Sequence, residues 1–242
     1  EAQEYASQVD LSYVKGKLDK VGGWGAGDLK YEDIGGGQNG EPDGKISIGA
    51  NNVDNPGDRK IIGNSLARLQ YGFTVSLDYF GFDVSAFFQG TGNHYWYPHV
   101  RSFAFWGPFS QPMCSYLPKD FLQNCWSENN PDAYFPRPVA YLAYDGGAQL
   151  NKVNTRYLQN IRYLRFKNLT VGYTLPQKAT KKIGIDKIRL YFSGENICYW
   201  SPFKKNSIYI DPEAAFDRDN NDYNRMFYPW QKTYMFGIDI TF

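Results

Sequence analysis

Few residues in this chain have the type and spacing that catalysis requires. His94 and His99 are its two histidines, and neither has a cysteine or carboxylate at the spacing of a zinc site. No serine lies in a nucleophile-elbow sequence, and no recognisable motif positions a pair of carboxylates for hydrolysis. We therefore predict that the protein is not an enzyme, although loops rich in aspartate and aromatic residues leave a hydrolase as an alternative.

Two acidic stretches could bind a metal ion. Residues 33–46 place Asp33, Asn39 and Asp43 around turn-forming glycines, in the way that oxygen ligands surround calcium. A second acidic run covers residues 217–222. In both stretches the alternative is a solvated turn or loop. We expect no cofactor, apart from a calcium ion that residues 33–46 could hold.

Aromatic residues make up 18% of the chain and suggest a binding surface. Trp96, Tyr97, Trp106 and Trp126 lie in a long segment without regular periodicity. Aromatic faces suit sugar rings, and they also suit the interface with a partner protein. These four residues are our candidates for contact with substrate or partner, and packing of the segment on itself is the alternative.

The cysteines and charges exclude some classes of protein. Cys114 and Cys125 lie in one loop and could form a disulfide or remain two unpaired thiols, whereas Cys198 would be left single. The net charge is +1 and lysine and arginine are scattered, so we predict no nucleic-acid partner.

Alternation of apolar and polar residues predicts five β-strands. In residues 230–242 the even positions are large and mostly apolar, including Tyr234, Phe236 and Phe242. Similar alternation marks residues 66–79, 82–89, 157–175 and 187–200, with a tight turn at Phe80-Gly81. The apolar parity changes near Lys167-Asn168, which predicts a β-bulge there.

Shorter local signals add a few elements. We predict a helix over residues 2–9, brief strands over residues 29–31 and 45–48, and one or two helical turns over residues 177–183 that end at Gly184.

The connections between strands alternate in length. Long loops on one side and short turns on the other are typical of outer-membrane barrels. Such barrels need no run of about 18 apolar residues.

On this basis we assign the segments in chain order. Residues 1–65 are an external loop region, 66–92 a barrel hairpin and 93–156 a long external loop. Residues 157–200 are a barrel hairpin with a periplasmic turn (176–185), 201–229 an external loop and 230–242 the terminal barrel strand.

The predicted fold class is therefore all-β, a transmembrane antiparallel β-barrel. Five strands are too few to enclose a lumen, so this chain should supply about the last five strands of a larger barrel. The polar start lacks the features of a signal peptide, and we expect a processed precursor or an internal piece of a longer protein.

Several segments together resemble the SusC/RagA-type TonB-dependent outer-membrane transporters. The most specific is the block over residues 154–176, which is followed by residues 189–196. The other similar segments, in chain order, are residues 30–33 with 43–46, 57–64, 79–90 and 232–242. The resemblance covers most of the chain from Gly27 onward.

The resemblance implies that the chain is the carboxy-terminal part of a 22-stranded barrel. It further implies import of oligosaccharides or other bulky nutrients such as peptides, with energy from TonB–ExbB–ExbD through a plug. A SusD-like surface lipoprotein would be the partner that lids the barrel, and the four aromatic candidates would then contact substrate or this lid. Plug and remaining barrel would be further partners, with outer-membrane lipid around the barrel and loops on the cell surface. Tyr234, Phe236 and Phe242 would then form a terminal assembly signal.

Two alternatives belong to other classes. A soluble all-β carbohydrate-binding module of the sandwich type could also show alternating strands, but it has no reason to segregate loops by length. A passive porin would differ from the transporter by lacking a plug.

Overall fold

The computed structural model describes residues 1–15, 18, 23–110, 117, 119–141, 148–205, 210–215 and 230–242. The chain forms two compact units. We call the described residues of 1–62 and 97–158 the loop unit, and those of 63–96, 159–215 and 230–242 the sheet unit.

The sheet unit is built on antiparallel strands, which confirms the all-β antiparallel prediction. Its main strands are β1 (Gln70–Tyr79), β2 (Phe82–Thr91), β5 (Tyr163–Thr174), β6 (Lys187–Trp200) and β7 (Thr233–Thr241), and they pair in the order β1-β2-β5-β6-β7. Two short strands, β3 (Tyr95–Trp96) and β4 (Gln159–Asn160), pair separately. In the described structure the five-stranded sheet is open, with β1 and β7 at its edges.

One face of the sheet is apolar across all five strands. Strand pairing aligns its side chains in rows, such as Leu77–Val84–Val171–Phe192–Phe236 and Tyr79–Phe82–Tyr173–Leu190–Ile238. The edge residues are well exposed, 63% for Leu77 and 84% for Phe236. A large exposed apolar surface marks a site that contacts protein or membrane.

The opposite face is mainly polar. One of its rows runs Ser76–Ser85–Thr170–Ser193–Met235. On the same face, the Arg189 guanidinium forms ion pairs with Asp83 on β2, at 2.5 Å, and with Asp239 on β7, at 3.1 Å. Arg189, which lies on β6, therefore links β2, β6 and β7, and its ion pair with Asp83 crosses β5.

A bulge interrupts the rows where the sequence predicted it, next to Lys167. Ala86, Leu169 and Gly194 form one row, and Phe88, Phe166 and Cys198 form the next apolar row. Between these rows β2 has one residue (Phe87), β5 has two (Lys167 and Asn168) and β6 has three (residues 195–197). Asn196 adopts a φ of 50° at this point, in the left-handed region. The extra residues keep the apolar side chains on one face despite the change of parity.

An ionic cluster fastens residues 210–215 to the bulged part of β5. Arg165, whose side chain is 3% exposed, pairs with Asp211 and with Glu213, the latter at 3.0 Å. Lys167 also reaches Glu213, at 3.1 Å. Buried charges need such partners, so this part of the loop is fixed by the strand beneath it.

The short connections follow the predicted geometry. Phe80 and Gly81 join β1 to β2 with φ values of 46° and 83°, as two-residue hairpin turns require. Between β5 and β6, Gln177–Thr180 forms an α-helix and Lys181–Ile183 a 3-10 helix, and Gly184 ends them with a φ of 75°. The helical turns predicted over residues 177–183 are confirmed.

The loop unit has little regular structure. Its α-helices are α1 (Ala2–Gln8), α2 (Ser12–Lys15) and α3 (Phe103–Trp106), and its 3-10 helices are Gln38–Gly40, Gly107–Phe109, Phe121–Asn124 and Ala148–Asn151. The prediction of a helix over residues 2–9 is confirmed. The strands predicted over 29–31 and 45–48 are wrong: in the described structure these residues form no strand, and Lys45 makes only an isolated bridge to Asp10.

Aromatic rings form the core of the loop unit. Trp106 and Tyr157 are buried and meet edge to face, with ring centres 4.9 Å apart, and Phe105, Phe109 and Phe135 pack around them. A second core cluster joins Leu11, Val14 and Ile46. The described helices are short, and none combines the length and hydrophobicity needed to cross a membrane.

Two glycines in the sheet should respond differently to replacement by alanine. A Cβ at Gly90 would lie 2.6 Å from the Tyr71 hydroxyl and closer still to the Tyr163 backbone oxygen, whereas a Cβ at Gly194 meets its nearest atoms at 3.4 Å. We expect Gly90→Ala to destabilise the sheet by about 1–3 kcal/mol, because overpacking forces the backbone to move. Thermal unfolding of the two variants measures the effect; equal melting temperatures would contradict the packing described here.

Candidate functional site

A buried carboxylate organises the loop unit. The Asp28 side chain is fully buried (0% exposed), and its Oδ1 accepts hydrogen bonds from Tyr141 Oη (2.6 Å), Gln149 Nε2 (2.8 Å) and Arg137 Nε (3.1 Å). Oδ2 accepts the Gly25 N–H at 3.0 Å and pairs with Arg137 Nη2 at 2.8 Å. Both oxygens are therefore saturated by donors.

Charge and hydrogen bonding balance burial at this network. Burial alone would lower the pKa of Arg137, but the hydrogen bond to Asp28 and the Asp28 charge raise it above its ordinary value. For Tyr141, burial first and then the Asp28 charge raise the pKa. Arg137 is thus a permanent cation and Tyr141 a permanent donor at neutral pH, and the network acts as a structural hub.

Further hydrogen bonds connect the hub to residues 29–31, residue 97 and residues 149–152. Gln149 Oε1 accepts the Leu29 N–H at 2.8 Å, and the Tyr31 hydroxyl donates to the Gln149 carbonyl oxygen at 2.8 Å. Nearby, the Tyr97 hydroxyl donates to the carbonyl oxygens of Leu150 (2.9 Å) and Lys152 (3.0 Å). These contacts hold segments that are far apart in sequence against one another.

An open cavity of about 660 Å³ lies beside this hub, within the loop unit. Its wall comes from three stretches of chain, within residues 27–62, 126–136 and 153–157. Trp126 lines it, and the indole lies so close to Gly27 that a Cβ there would be 2.5 Å from the ring. Only glycine suits position 27, because its φ of 86° is unfavourable for other residues and because the Trp126 ring leaves no space for a side chain.

The four aromatic candidates have different surroundings. Trp106 is buried in the loop-unit core and donates to the Pro98 carbonyl oxygen at 3.2 Å. Tyr97 is anchored through its hydroxyl, as described above. Trp96 belongs to the sheet unit and meets Phe203 edge to face at 5.8 Å. Trp126 is the one of the four that lines the cavity.

The remaining predicted residues are placed as follows. Tyr234, Phe236 and Phe242 are exposed, and the first two belong to the apolar face of β7. Cys125 is buried, and burial raises the pKa of its thiol to about 11. Its proposed partner Cys114 lies outside the described residues, so the disulfide stays a prediction.

The Asp33 carboxylate forms a turn within the first acidic stretch. Asp33 accepts the Asp43 and Gly44 N–H groups, at 3.2 and 2.5 Å, as a turn-forming carboxylate does. Among the described residues, no group of three or more His, Cys, Asp or Glu side chains is placed to hold a metal ion. Calcium binding by residues 33–46 stays a prediction, and the run over residues 217–222 lies outside the described part of the chain.

Replacing the Asp28 carboxylate should loosen the loop unit. Asp28→Asn removes the charge that faces Arg137, and breaking one side of a buried ion pair costs about 3–5 kcal/mol. We expect rapid proteolysis within residues 97–158 in this variant. Glu32→Gln, an exposed neighbour in sequence, is the matched control and should be cleaved at the parent rate; the same rate for both variants would show that Asp28 does not organise the unit.

As pH is raised, the loop unit should unfold cooperatively at a pH above 10, the ordinary pKa of tyrosine. Burial raises the pKa values of Tyr31, Tyr97, Tyr141 and Tyr157 above the ordinary 10.0. A raised pKa favours the protonated folded state, so their contribution is intact below pH 10 and is lost as pH rises further. Tyrosinate absorbance should show these residues ionising only on unfolding; in concentrated urea all tyrosines should titrate near pH 10, and an identical curve without urea would contradict the prediction.

Comparison with known proteins places this geometry in a family context. No protein-family model matches the chain. It is 28% identical to TonB-dependent receptor P3 of Formosa agariphila over 84% of its length, and 28% identical to TonB-dependent receptor P26 of the same organism over 76%. The chain spans about a fifth of each of these relatives, 19% and 18%.

Solved structures agree in fold. The chain matches the RagAB peptide importer in its "open-open" state with a TM-score of 0.54 and 21% identity, covering 87% of this chain and 20% of the other. The "closed-closed" state gives a TM-score of 0.54 and 22% identity, covering 86% and 21%. These relatives are receptors and transporters rather than enzymes, in line with the non-enzymatic function predicted.

Sequence and fold comparisons therefore agree: the chain is similar to the carboxy-terminal part of the SusC/RagA-type TonB-dependent transporters of the outer membrane, as its sequence predicted.

Proposed function

We propose that this chain forms about the last five strands of a larger, 22-stranded outer-membrane barrel that imports oligosaccharides or other bulky nutrients. The two-faced sheet carries this proposal. Its apolar rows continue across all five strands, and the register leaves the largest side chains of β1 and β7 exposed. A soluble domain would bury such a face, whereas a barrel turns it to lipid.

The height of the apolar face suits a bilayer. Tyr79 and Tyr71 lie eight residues apart on β1, which corresponds to about 27 Å along the strand at ~3.4 Å per residue, or about 21 Å across the membrane at a barrel-strand tilt of ~40°. Their rows also contain Phe82 and Tyr173 at one end and Trp200 at the other. Outer-membrane barrels carry an apolar band about 25 Å tall between two aromatic girdles.

The polar face would line the lumen. There the Arg189 ion pairs can keep contact with water, and the hydroxyl row can be hydrated. On the external side, residues 1–65, 93–156 and 201–229 would extend from the barrel as loops over the substrate path. The loop unit, with its cavity, comes from the first two of these regions and from residues 157 and 158, which follow the second.

The partners follow from this assignment. The remaining strands would pair with the open edges at β1 and β7, because an unpaired edge is not tolerated in lipid. A plug would connect the barrel to TonB–ExbB–ExbD, and a SusD-like lipoprotein would cover the loops. RagAB, one structural neighbour, is named a peptide importer, so both peptides and oligosaccharides are retained as substrate classes.

Arginine substitutions on the two faces of β1 test the membrane assignment. Val75 lies near the middle of the apolar face and Ser76 follows it on the polar face, and both are exposed. In a bilayer Val75→Arg should cost about 2–4 kcal/mol and reduce the folded, heat-modifiable form in the outer membrane, whereas Ser76→Arg should assemble normally.

Cell fractionation separates the soluble alternative from the transporter. In a water-soluble carbohydrate-binding module of the sandwich type a second sheet would cover the apolar face, so Val75→Arg would destabilise that protein as well, whereas Ser76→Arg would change its stability by less than about 0.5 kcal/mol. Recovery of the parent protein and of Ser76→Arg as soluble periplasmic monomers would refute the transporter assignment.

A further inference from the structure

The cavity of the loop unit is lined by more cationic side chains than carboxylates. Lys30, Arg59, Lys60 and Arg156 line it, and none of them takes part in an ion pair with a described residue. Arg59 donates to the Pro56 carbonyl oxygen at 3.0 Å, and Arg156 donates to the carbonyl oxygens of Tyr134 (3.1 Å) and Ala133 (2.5 Å). Neutral acceptors position these guanidinium groups and leave their charge available.

The acidic residues of the wall do not balance these cations. Asp28 is fully buried and saturated by its own donors. Asp58 accepts the N–H groups of Ile34 (2.9 Å), Gly35 (3.1 Å) and Ser47 (2.7 Å), which hold its carboxylate in place without removing its charge. Outside the Asp28–Arg137 pair, the described wall therefore has two carboxylates, Glu32 and Asp58, against four cations. The cavity therefore attracts anions.

An apolar strip lies beside these charges. Trp126 is half-buried, with part of its indole against Gly27 and part on the cavity wall, where Phe135 also contributes. A flat aromatic surface favours a ring with apolar C–H faces. Arginine binds carboxylates and phosphates through pairs of N–H groups. A sulfate ester has a geometry similar to that of a phosphate, so it suits arginine in the same way.

A saccharide fits this wall better than an extended peptide does. Peptides in grooves commonly add a strand to an exposed sheet edge, which satisfies their backbone N–H and C=O groups. The described residues of the loop unit form no β-strand that could accept one. A sugar needs only stacking and side-chain hydrogen bonds, both of which the cavity offers.

We propose that this cavity binds an acidic saccharide. A sugar ring stacks on Trp126, while its carboxylate or sulfate ester contacts Arg59, Lys60 and Arg156. Binding by this cavity is independent of the proposed function. Its physiological role, the selection of acidic glycans for import, rests on the proposed function. Uronic acids and sulfated sugars share the required chemistry, and the experiment separates them.

Calorimetry on the protein extracted in detergent from expressing cells tests the site. The probes are a galacturonate tetrasaccharide, a sulfated galactan tetrasaccharide, neutral galactotetraose and tetra-aspartate. We expect at least one acidic saccharide to bind about tenfold more tightly than the neutral one, with affinity falling as salt rises. The tighter of the two acidic probes identifies the anionic group.

Variants assign the binding to this cavity. Arg59→Gln with Lys60→Gln should weaken binding of the acidic saccharide about tenfold, whereas Lys119→Gln, an exposed loop cation outside the wall, should leave it unchanged. Trp126→Ala should abolish measurable binding, and Trp126→Phe should retain part of it. Melting temperatures equal to the parent protein's show that the variants remain folded.

Other results would overturn the proposal. Equal affinity for neutral and acidic saccharides, tighter binding of tetra-aspartate, or insensitivity to the Arg59 and Lys60 substitutions would each do so. Fractionation of the same cells keeps the two proposals apart. An outer-membrane protein without preference for acidic saccharides refutes this site alone, whereas a soluble protein with that preference supports the site and refutes the transporter function.

Discussion

The backbone pairing of five antiparallel strands determines which side chains share a face, and every functional statement about the sheet unit depends on it. Each row is set by hydrogen bonding between neighbouring strands, so a slip of one residue would exchange the two environments. Leu77 and Phe236 stand at opposite edges of the same row. That continuity makes one surface suitable for hydrocarbon and the other for water.

The loop unit has few regular elements in which its backbone N–H and C=O groups can pair with one another. Internal carboxylates provide some of the missing hydrogen bonds. Asp28 joins side chains and a backbone N–H group, and Asp58 accepts three backbone N–H groups. Around them, the aromatic core supplies the apolar burial. The cavity wall is consequently built from fixed loops, which suits a binding surface that must be preorganised.

Local signals in the sequence predicted the sheet well. Alternation located the strands to within several residues, Phe80-Gly81 marked the hairpin, and the parity change marked the bulge at Lys167. The strand pair of β3 and β4 escaped prediction because two residues are too short to show a period. The strands expected near Leu29 and Lys45 do not form in the described structure, where glycine-rich turns flank both segments and no described strand pairs with them.

The candidate site was much less predictable. Trp126 was selected by residue type, but Asp28, Arg137 and Gln149 gave no sequence signal, because the members of this hub are separated by 109 and 121 residues from Asp28. Charge alone could not select Arg59 and Lys60 either. Only the fold shows that these two cations line one cavity with Lys30 and Arg156, where four cations face two carboxylates outside the Asp28 network.

The bulge at Lys167 has a consequence for the proposed pore. The extra residues of β5 and β6 displace each strand lengthwise relative to its neighbour, which changes the stagger of the sheet. In a closed barrel, strand number and stagger together set strand tilt and diameter. The diameter of the passage, and hence the bulk of the molecules it admits, would then depend in part on Lys167 and Asn196, two residues that need never touch the cargo.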